Sequence, residues 1–293
     1  MRIFIITDLE GVNGVLNFDD WCVPSGLRNE TACRFLTTEV NAAVDGFFAG
    51  GASEVIIFDG HGSGGSIRGE MLDQRAALQR GGQAFPISNP DVDAVAFVGQ
   101  HAKAGTANAH LAHTQTEEAV DFRLNGLSIG EFGQFAYAYA ERNIPTILAV
   151  GDLALTREAR ELIPEIFTTA VKAGFNAPVT ADCPAEKLFA HESAALHYPQ
   201  QQVLTNIRTQ AKLAVEQLLR KPEIFKIQAL PPAPGYRIEA QYRATSPRLF
   251  SLVGELPPRR IVTAEFATVA EAINDFYSHR EWSKADNEYV FDI

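Results

Sequence analysis

The fold is decided by residues 29–58, NETACRFLTTEVNAAVDGFFAGGASEVIIF, in which a helical pattern of apolar side chains leads into a short apolar strand. The apolar positions of the first part recur at a period of about 3.6 residues, which predicts a helix with one buried face. We expect Asn29 to cap this helix and Gly50-Gly51 to end it. The strand Val55 to Phe58 follows the helix, and a similar run at Ile3 to Ile6 precedes it. This order is typical of a crossover between parallel strands.

Two further apolar runs extend the pattern. They lie at Ala94 to Val98 and at Thr146 to Val150, and each is followed by a turn that contains glycine. Parallel strands that are covered by helices are apolar along nearly their whole length. The sequence therefore predicts an α/β fold, in which a mainly parallel sheet carries helices on both faces.

The pattern changes beyond Asp152, where helices and strands no longer alternate regularly. The predicted helices lie at Thr156 to Leu162, Ala185 to His197, Val203 to Leu219 and Val269 to Phe276. The predicted strands lie at Tyr236 to Tyr242 and Arg260 to Phe266. We expect an α/β metal-binding catalytic domain at residues 1–165 and an α+β C-terminal domain at residues 166–293 packed against it.

Composition excludes several classes of function. The 293 residues include 36 acidic and 25 basic side chains, a net charge of -11, which disfavours nucleic acids and anionic membrane surfaces as partners. No apolar stretch is long enough for a membrane helix, and Asp8 and Glu10 interrupt the first one before it could act as a signal peptide. Three cysteines without a CxxC pair predict neither disulfides nor a thiolate zinc site. A cytoplasmic location is expected.

Side chains able to bind metals follow each predicted parallel strand. Asp8 and Glu10 follow the first strand, Asp59 and His61 the second, and His101 the third. Asp8 and Glu10 alone are also explained as an acidic turn, and either histidine alone as a packed core residue. Because ligands bind at the carboxyl ends of parallel strands, the combination favours a metal site at that edge.

Residues 101–113 contain three of the seven histidines of the chain. His110 and His113 are three residues apart, but the glutamate of an HExxH zinc motif is missing and neighbouring Gly105 and Asn108 indicate a loop. We expect His110 to face solvent, and these residues alone leave the role of His113 open. Three other histidines are expected to be surface or packing residues, namely His191, His197 and His279.

Two glycine-containing stretches are less specific. Residues 60–65, GHGSGG, lack the spacing of established phosphate-binding loops and form a weak nucleotide motif. Glu131 lies between glycines just before an apolar helix at Phe135 to Tyr139, where a carboxylate is either a ligand or a common helix-start residue.

Taken together, these pieces resemble one family, the zinc-dependent D-aminopeptidases of the bacterial dipeptide-operon type. The likeness extends to about residue 275 and rests on six motifs in this order: Asp8-Leu-Glu10-Gly-Val-Asn-Gly14, Asp59-Gly-His61, Gly99-Gln-His101-Ala-Lys-Ala, Ala112-His113-Thr, Asn125-Gly with Gly130-Glu131-Phe-Gly, and Pro145 to Asp152.

The resemblance implies a site with two zinc ions per subunit. Its implied ligands are Asp8, Glu10, His61, His101 and Glu131, with Asp8 as the bridge. It also implies a catalytic histidine, which His113 matches, although the interval from His101 is one residue longer than in the family and His110 is an additional histidine. Whether His113 or His110 moves the proton is therefore left open. Family members similar to this chain form ring-like homo-oligomers that enclose their active sites.

A two-metal site suits hydrolysis of a small peptide or amide, and the resemblance implies an aminopeptidase that acts on D-aminoacyl substrates. Asp59 and Asp152 are expected to orient ligand imidazoles from outside the first set of ligands. Two alternatives remain at this point: a dinuclear metal phosphoesterase that uses Lys103 or Arg68 as a phosphate anchor, and a non-catalytic metal- or nucleotide-binding α/β module. The sequence does not identify the substrate.

Overall fold

The computed structural model describes residues 1–81, 91–243 and 260–278. Seven strands of this part form the larger sheet: β1 (Arg2–Thr7), β2 (Glu54–Phe58), β3 (Ala76–Gln79), β4 (Ala94–Gln100), β7 (Thr146–Asp152), β8 (Phe167–Gly174) and β9 (Ala195–His197). Their order across the sheet is β3-β2-β1-β4-β7-β8-β9. All neighbours are parallel except β8 and β9, which are antiparallel.

Helices cover both faces of this sheet, as predicted. On one face lie α2 (Asn29–Gly50) and α6 (Gln200–Arg220), which pack on Ile3 and Ile5 of β1. On the other face lie α3 (Glu131–Glu141) and α4 (Leu153–Leu162), in the same apolar cluster as Phe4 and Ile6. Because successive side chains of β1 point to opposite faces, one strand supplies both cores. The predicted α/β architecture is confirmed.

A smaller antiparallel sheet shares the apolar cluster to which α3 contributes. It contains β5 (Ala119–Leu124), β6 (Leu127–Ser128), β10 (Tyr236–Tyr242) and β11 (Arg260–Phe266), in the order β11-β10-β5-β6. The last described helix, α7 (Val269–Ser278), contacts α3. Elements from both sides of residue 165 thus take part in each sheet, and the division at residues 165/166 stays a prediction.

Residues 185–197 do not form the single helix that their apolar pattern predicts. A short 3-10 helix at Ala185–Lys187 leads into α5 (Leu188–His191), and the chain then becomes β9. The backbone of β9 pairs with the end of β8, and the amide of Phe175 donates to the carbonyl of Ala194. These tertiary hydrogen bonds override the local helical pattern, which is therefore a wrong prediction.

The start of α2 also differs from the prediction. Asn29 is the first residue of the helix instead of its cap, and its side-chain amide donates to the carbonyl of Trp21 in the short helix α1 (Phe18–Trp21). Arg28 occupies the cap position without a side-chain hydrogen bond. Gly51 ends the helix in the left-handed region, at a φ of 106°, as a glycine there predicts.

None of the helices in the described residues is both long and apolar enough to cross a membrane. The thiols of Cys22, Cys33 and Cys183 are free.

Candidate metal centre

The five side chains implied as ligands converge at the carboxyl edge of the larger sheet. Nδ1 of His61 lies 3.0 Å from Oδ1 of Asp8 and 3.2 Å from Oε2 of Glu10. Nε2 of His101 lies 3.2 Å from Oδ2 of Asp8 and 3.4 Å from Oε1 of Glu131. The first strand, the second strand, the fourth strand and the start of α3 each contribute to this group, which joins parts of the chain far apart in sequence.

The donor atoms form two groups that meet at Asp8. One group is Asp8, Glu10 and His61, and the other is His101, His113 and Glu131; within each, the ligand atoms lie within 4.8 Å of one another. The two oxygens of Asp8 point toward different histidines, Oδ1 toward His61 and Oδ2 toward His101. This is the arrangement that a carboxylate bridge between two cations requires.

The backbone fixes the orientation of each histidine ring. Nε2 of His61 lies 2.7 Å from the carbonyl oxygen of Cys22, Nδ1 of His101 lies 2.9 Å from that of Ala102, and Nδ1 of His113 lies 2.9 Å from that of Leu111. A carbonyl oxygen only accepts hydrogen bonds, so the ring nitrogen beside it carries the proton. In the neutral ring, the other nitrogen then offers its lone pair toward the carboxylates.

The electrostatics of the site favour a bound cation. Burial by itself would lower the pKa of His61 and of His101. The carboxylates of Glu10 and Asp8 nevertheless raise the pKa of His61 above its usual value. Those of Glu131 and Asp8 raise the pKa of His101 in the same way. The pKa of Asp8 is held well below its usual range, although burial opposes this, by the neighbouring imidazoles of His101 and His61. The group therefore stabilises positive charge between its carboxylates.

Two buried atoms in the site have no hydrogen-bond partner among the residues that the structure describes. They are Oε2 of Glu10 and Nε2 of His101, and both face the space between the carboxylates and the imidazoles. Buried polar atoms are nearly always paired, so such atoms indicate a missing partner. Carboxylate oxygens and imidazole nitrogens are the donors that Zn²⁺ takes at protein sites. The residues present fit a divalent metal.

The strand ends fit together closely enough to fix Asp8. A Cβ at Gly11 would overlap the carbonyl oxygen of Gln100, so only glycine allows this approach. The side-chain amide of Gln100 donates to Oδ2 of Asp8 over 2.9 Å. The sequence does not indicate this role for Gln100, because an amide side chain next to a predicted ligand carries no signal of its own.

Asp59 holds the loop that carries His61 and does not contact the imidazole itself. Its carboxylate accepts hydrogen bonds from the amides of Gly65, Ser66 and Ile67, and from Nε of Arg80. Within residues 60–65, the amide of Gly65 is bound to Asp59, that of Gly64 to the carbonyl of His61 and that of Gly60 to the hydroxyl of Thr7. These three amides are not available to a phosphate, as the nucleotide-binding alternative would require.

Asp152 has no imidazole partner among the described residues either. Oδ1 caps α4 by accepting from the amide of Leu155, and Oδ2 accepts from the amide of His110. Three backbone carbonyls, described above, orient the imidazoles of the site. The sequence predicted this role for Asp59 and Asp152.

His110 is buried, and the expectation that it faces solvent is wrong. Its backbone amide is bound by Asp152, and its Nε2 lies 3.2 Å from the carbonyl oxygen of Leu16. Burial lowers the pKa of His110 to about 2, and the charges of Lys172 and His197 act in the same direction. The imidazole therefore fills a core position behind the metal centre and does not line the cavity.

His113 lies at the cavity. Its ring stacks on that of His101, and the rings of Phe18 and Phe189 meet it edge-on. Nε2 of His113 lies 3.9 Å from Oε1 of Glu131. Of the two histidines that the sequence left as candidates for moving a proton, His113 is the one that reaches the donor groups.

A cavity of about 370 Å³ opens in front of the donor atoms. Its wall combines the apolar side chains of Phe18, Val23, Pro24 and Phe135 with the polar segment Gln115–Glu117. Among the described residues, this wall contains no lysine or arginine. The two basic residues proposed as phosphate anchors are engaged elsewhere: Lys103 donates to the carbonyl of Ser128, and Arg68 pairs with Glu30.

Lys172 is a buried residue of the site that sequence analysis missed. It lies in β8, and its Nζ donates to the carbonyl oxygen of Glu10 over 2.6 Å and to that of Val15 over 3.3 Å. Burial lowers the pKa of Lys172 to about 8. A lysine inside the apolar strand segment Ala170-Val-Lys-Ala-Gly174 was the available signal, since a buried lysine needs a specific partner.

The chain is similar to known proteins in sequence and in structure. The family model for D-aminopeptidases matches residues 1–274. The D-aminopeptidase of Bacillus subtilis (strain 168) is 32% identical over 178 residues, which are 59% of this chain and 64% of that relative. The aligned region thus spans less than two thirds of the relative's length.

A solved structure shares the fold. It is that of the Zn-dependent D-aminopeptidase DppA from Bacillus subtilis, a self-compartmentalizing protease. The two chains superpose with a TM-score of 0.73 at 20% sequence identity, and the match covers 96% of this chain and 99% of the other.

Proposed function

The chain belongs to the D-aminopeptidase family, and from this we propose that it is a zinc-dependent hydrolase that removes the amino-terminal residue of small D-aminoacyl peptides or amides. The observation that carries the proposal is the pair of donor groups joined at Asp8 on the floor of the cavity. Family membership indicates the type of reaction, and the donor groups are the residues that could bind the metal for it.

In this proposal Asp8, Glu10 and His61 would hold one zinc ion, and Asp8, His101 and Glu131 would hold a second. The zinc dependence of DppA supports the choice of metal. Bound zinc would polarise the scissile carbonyl and lower the pKa of a water molecule toward about 7. Gln100 would keep Asp8 in its bridging orientation, and Asp59 would place His61 through the loop that it holds.

His113 is proposed to move the proton. Its Nδ1 is held by the carbonyl of Leu111, so Nε2 can accept a proton from the nucleophilic water and give it to the leaving amine. The flanking rings of Phe18 and Phe189 restrict the orientation of the imidazole and exclude water from its edges. His113 lies close enough to His101 and Glu131 to count among the possible ligands, but here it is assigned the proton and the second zinc is left to Asp8, His101 and Glu131.

The cavity wall favours a substrate without a phosphate. A phosphoesterase needs cationic groups that balance the charge of its substrate, and the described wall contains none beyond the metal centre. Apolar side chains next to Glu117 suit a short side chain and a free ammonium group. The phosphoesterase alternative therefore has no observation in its favour.

A homo-oligomer is also proposed, on the basis that the related DppA is self-compartmentalizing. A ring that encloses the active sites would restrict substrates to short peptides. Sedimentation velocity would test the assembly, and a monomer at micromolar concentration would contradict it.

The experiment that tests the function is a substrate panel on the zinc-loaded protein. D- and L-aminoacyl amides, short peptides and a phosphodiester would be compared before and after a chelator. We expect hydrolysis of D-aminoacyl amides that is lost with the chelator and restored by Zn²⁺. Turnover of the phosphodiester with no amide hydrolysis would overturn the proposal.

A further inference from the structure

We propose that Lys172 is a positioning residue for the metal centre, because its buried ammonium group holds the backbone of the segment that carries Glu10. The inference rests on the proposed function, since it assigns a residue to the same site. Lys172 would act through Glu10 and would not touch the substrate.

The first observation is where the ammonium group of Lys172 is directed. Nζ donates to the carbonyl oxygens of Glu10 and Val15, which are the two ends of a tight loop. Within the loop, the amide of Val12 donates to the carbonyl of Leu9, and the amide of Val15 donates to the carbonyl of Val12. Lys172 therefore links the two ends of a loop that is made of two successive turns.

The second observation concerns the acidic partners of the ammonium group. Among the described residues, no carboxylate lies within ion-pair distance of Nζ of Lys172, although the side chain is fully buried and the charges of Asp152, Glu39 and Glu10 act on it from farther away. An apolar side chain of similar volume usually satisfies a packing requirement at lower cost than a buried charge. The ammonium group instead donates to the two carbonyl oxygens, so packing alone does not explain why a lysine occupies this position.

The third observation is that this loop is held from several sides. The amide of Asn13 donates to Oε1 of Glu39, and the amide of Gly14 donates to Nδ1 of His197. These contacts fix the middle of the loop, and Lys172 fixes its ends. Glu10 is thereby placed so that its Oε2 lies 3.2 Å from Nδ1 of His61.

The consequence is a link between β8 and the metal ligands. If the carbonyl of Glu10 lost its donor, the carboxylate on the same residue would shift relative to Asp8 and His61. Residues that orient metal ligands from outside commonly contribute about 10- to 100-fold to metal affinity. A change at Lys172 should therefore weaken the Asp8, Glu10 and His61 group before it affects the rest of the fold.

The test compares three proteins, each freed of metal and titrated with Co²⁺. They are the unaltered chain, Lys172→Met and a control, Val215→Ala. Val215 is buried on α6 beside Gly50, at the opposite edge of the sheet, so its truncation lowers thermal stability without touching the loop. Circular dichroism would monitor folding, and the visible absorption of bound Co²⁺ would report ligand geometry.

We expect Lys172→Met to fold, to bind Co²⁺ at least about tenfold more weakly and to show an altered absorption spectrum. Val215→Ala should melt at a lower temperature with unchanged affinity and spectrum. Unchanged affinity and spectrum in Lys172→Met would overturn the inference, and so would the same result in Lys172→Leu, which also lacks a donor and is the substitute should the methionine variant not fold. Absence of Co²⁺ binding by the unaltered chain would instead overturn the proposed function, and this inference with it.

Discussion

The imidazole rings of His101 and His113 stack with their centroids 3.9 Å apart and their planes at 14° to each other. The two rings have different surroundings. His101 is buried between Asp8 and Glu131, whereas His113 borders the cavity. The proposed roles of ligand and proton carrier therefore fall to neighbouring rings, and substitutions can separate them.

Replacing His113 with alanine should reduce kcat by about 10² to 10⁴, the usual contribution of a general acid or base. Most of the bound zinc should remain, because Asp8, Glu10, His61, His101 and Glu131 are unchanged. Zinc content and kcat would be measured on the same preparation. His101→Ala is the control, and it should lose zinc and activity together. A His113→Ala protein without zinc would identify His113 as a ligand.

His110→Ala should act on stability more than on activity. The imidazole is fully buried and bonds to the carbonyl of Leu16, so its removal leaves a cavity and an unpaired carbonyl. We expect the free energy of unfolding to fall by about 1 to 3 kcal/mol, measured by urea denaturation. The kcat of the folded fraction should stay within a few-fold of the unaltered value. A fully folded but inactive variant would assign proton transfer to His110.

Glu39 should make stability depend on pH. Burial raises its pKa to about 8, against an ordinary value of 4.5. Between these values the folded protein holds a proton that the unfolded chain has released, so the free energy of unfolding falls as pH rises. Glu39→Gln cannot ionise and should lack this loss.

The prediction for Glu39 is checked by urea denaturation of the metal-free protein at several pH values between 5 and 9. The stability advantage of Glu39→Gln should grow across this range and level off above a pH of about 8. Glu161→Gln, an exposed position on α4, serves as the control and should follow the unaltered protein. An advantage that is constant with pH would contradict the assignment.

Asp59→Ala should loosen the loop that carries His61. The substitution removes the acceptor of three backbone amides and of Arg80, so we expect a loss of about 3 kcal/mol in the free energy of unfolding. Zinc affinity should fall as well, which competition with a chelator would measure. Asp73→Ala removes a partly exposed carboxylate that pairs with Arg75, and it should have a much smaller effect. Unchanged zinc affinity in Asp59→Ala would show that the loop does not position His61.

The parallel sheet and the convergence of Asp8, His61 and His101 were predictable because both follow from local patterns. Apolar runs identify buried strands, and the carboxyl ends of parallel strands meet at one edge. Side chains that follow different strands can therefore be placed together without knowledge of their contacts.

His110, Lys172 and β9 were not predictable in the same way. The burial of His110 depends on Asp152 binding its amide, and the role of Lys172 depends on a loop more than 150 residues away in the chain. The segment Ala195–His197 forms a strand because its backbone pairs with that of β8. Each of these features is set by a partner distant in sequence, which periodicity does not reveal.

The central claim is that Asp8, Glu10, His61, His101 and Glu131 bind zinc and that bound zinc enables amide hydrolysis. Zinc titration of the metal-free protein, with the hydrolysis of a D-aminoacyl amide recorded at each ratio of zinc to protein, tests it most directly. We expect activity to be absent without zinc and to rise until about two zinc ions are bound per chain, as a two-metal site requires. Hydrolysis that is independent of zinc, or saturation with zinc without hydrolysis of any amide, would contradict the account.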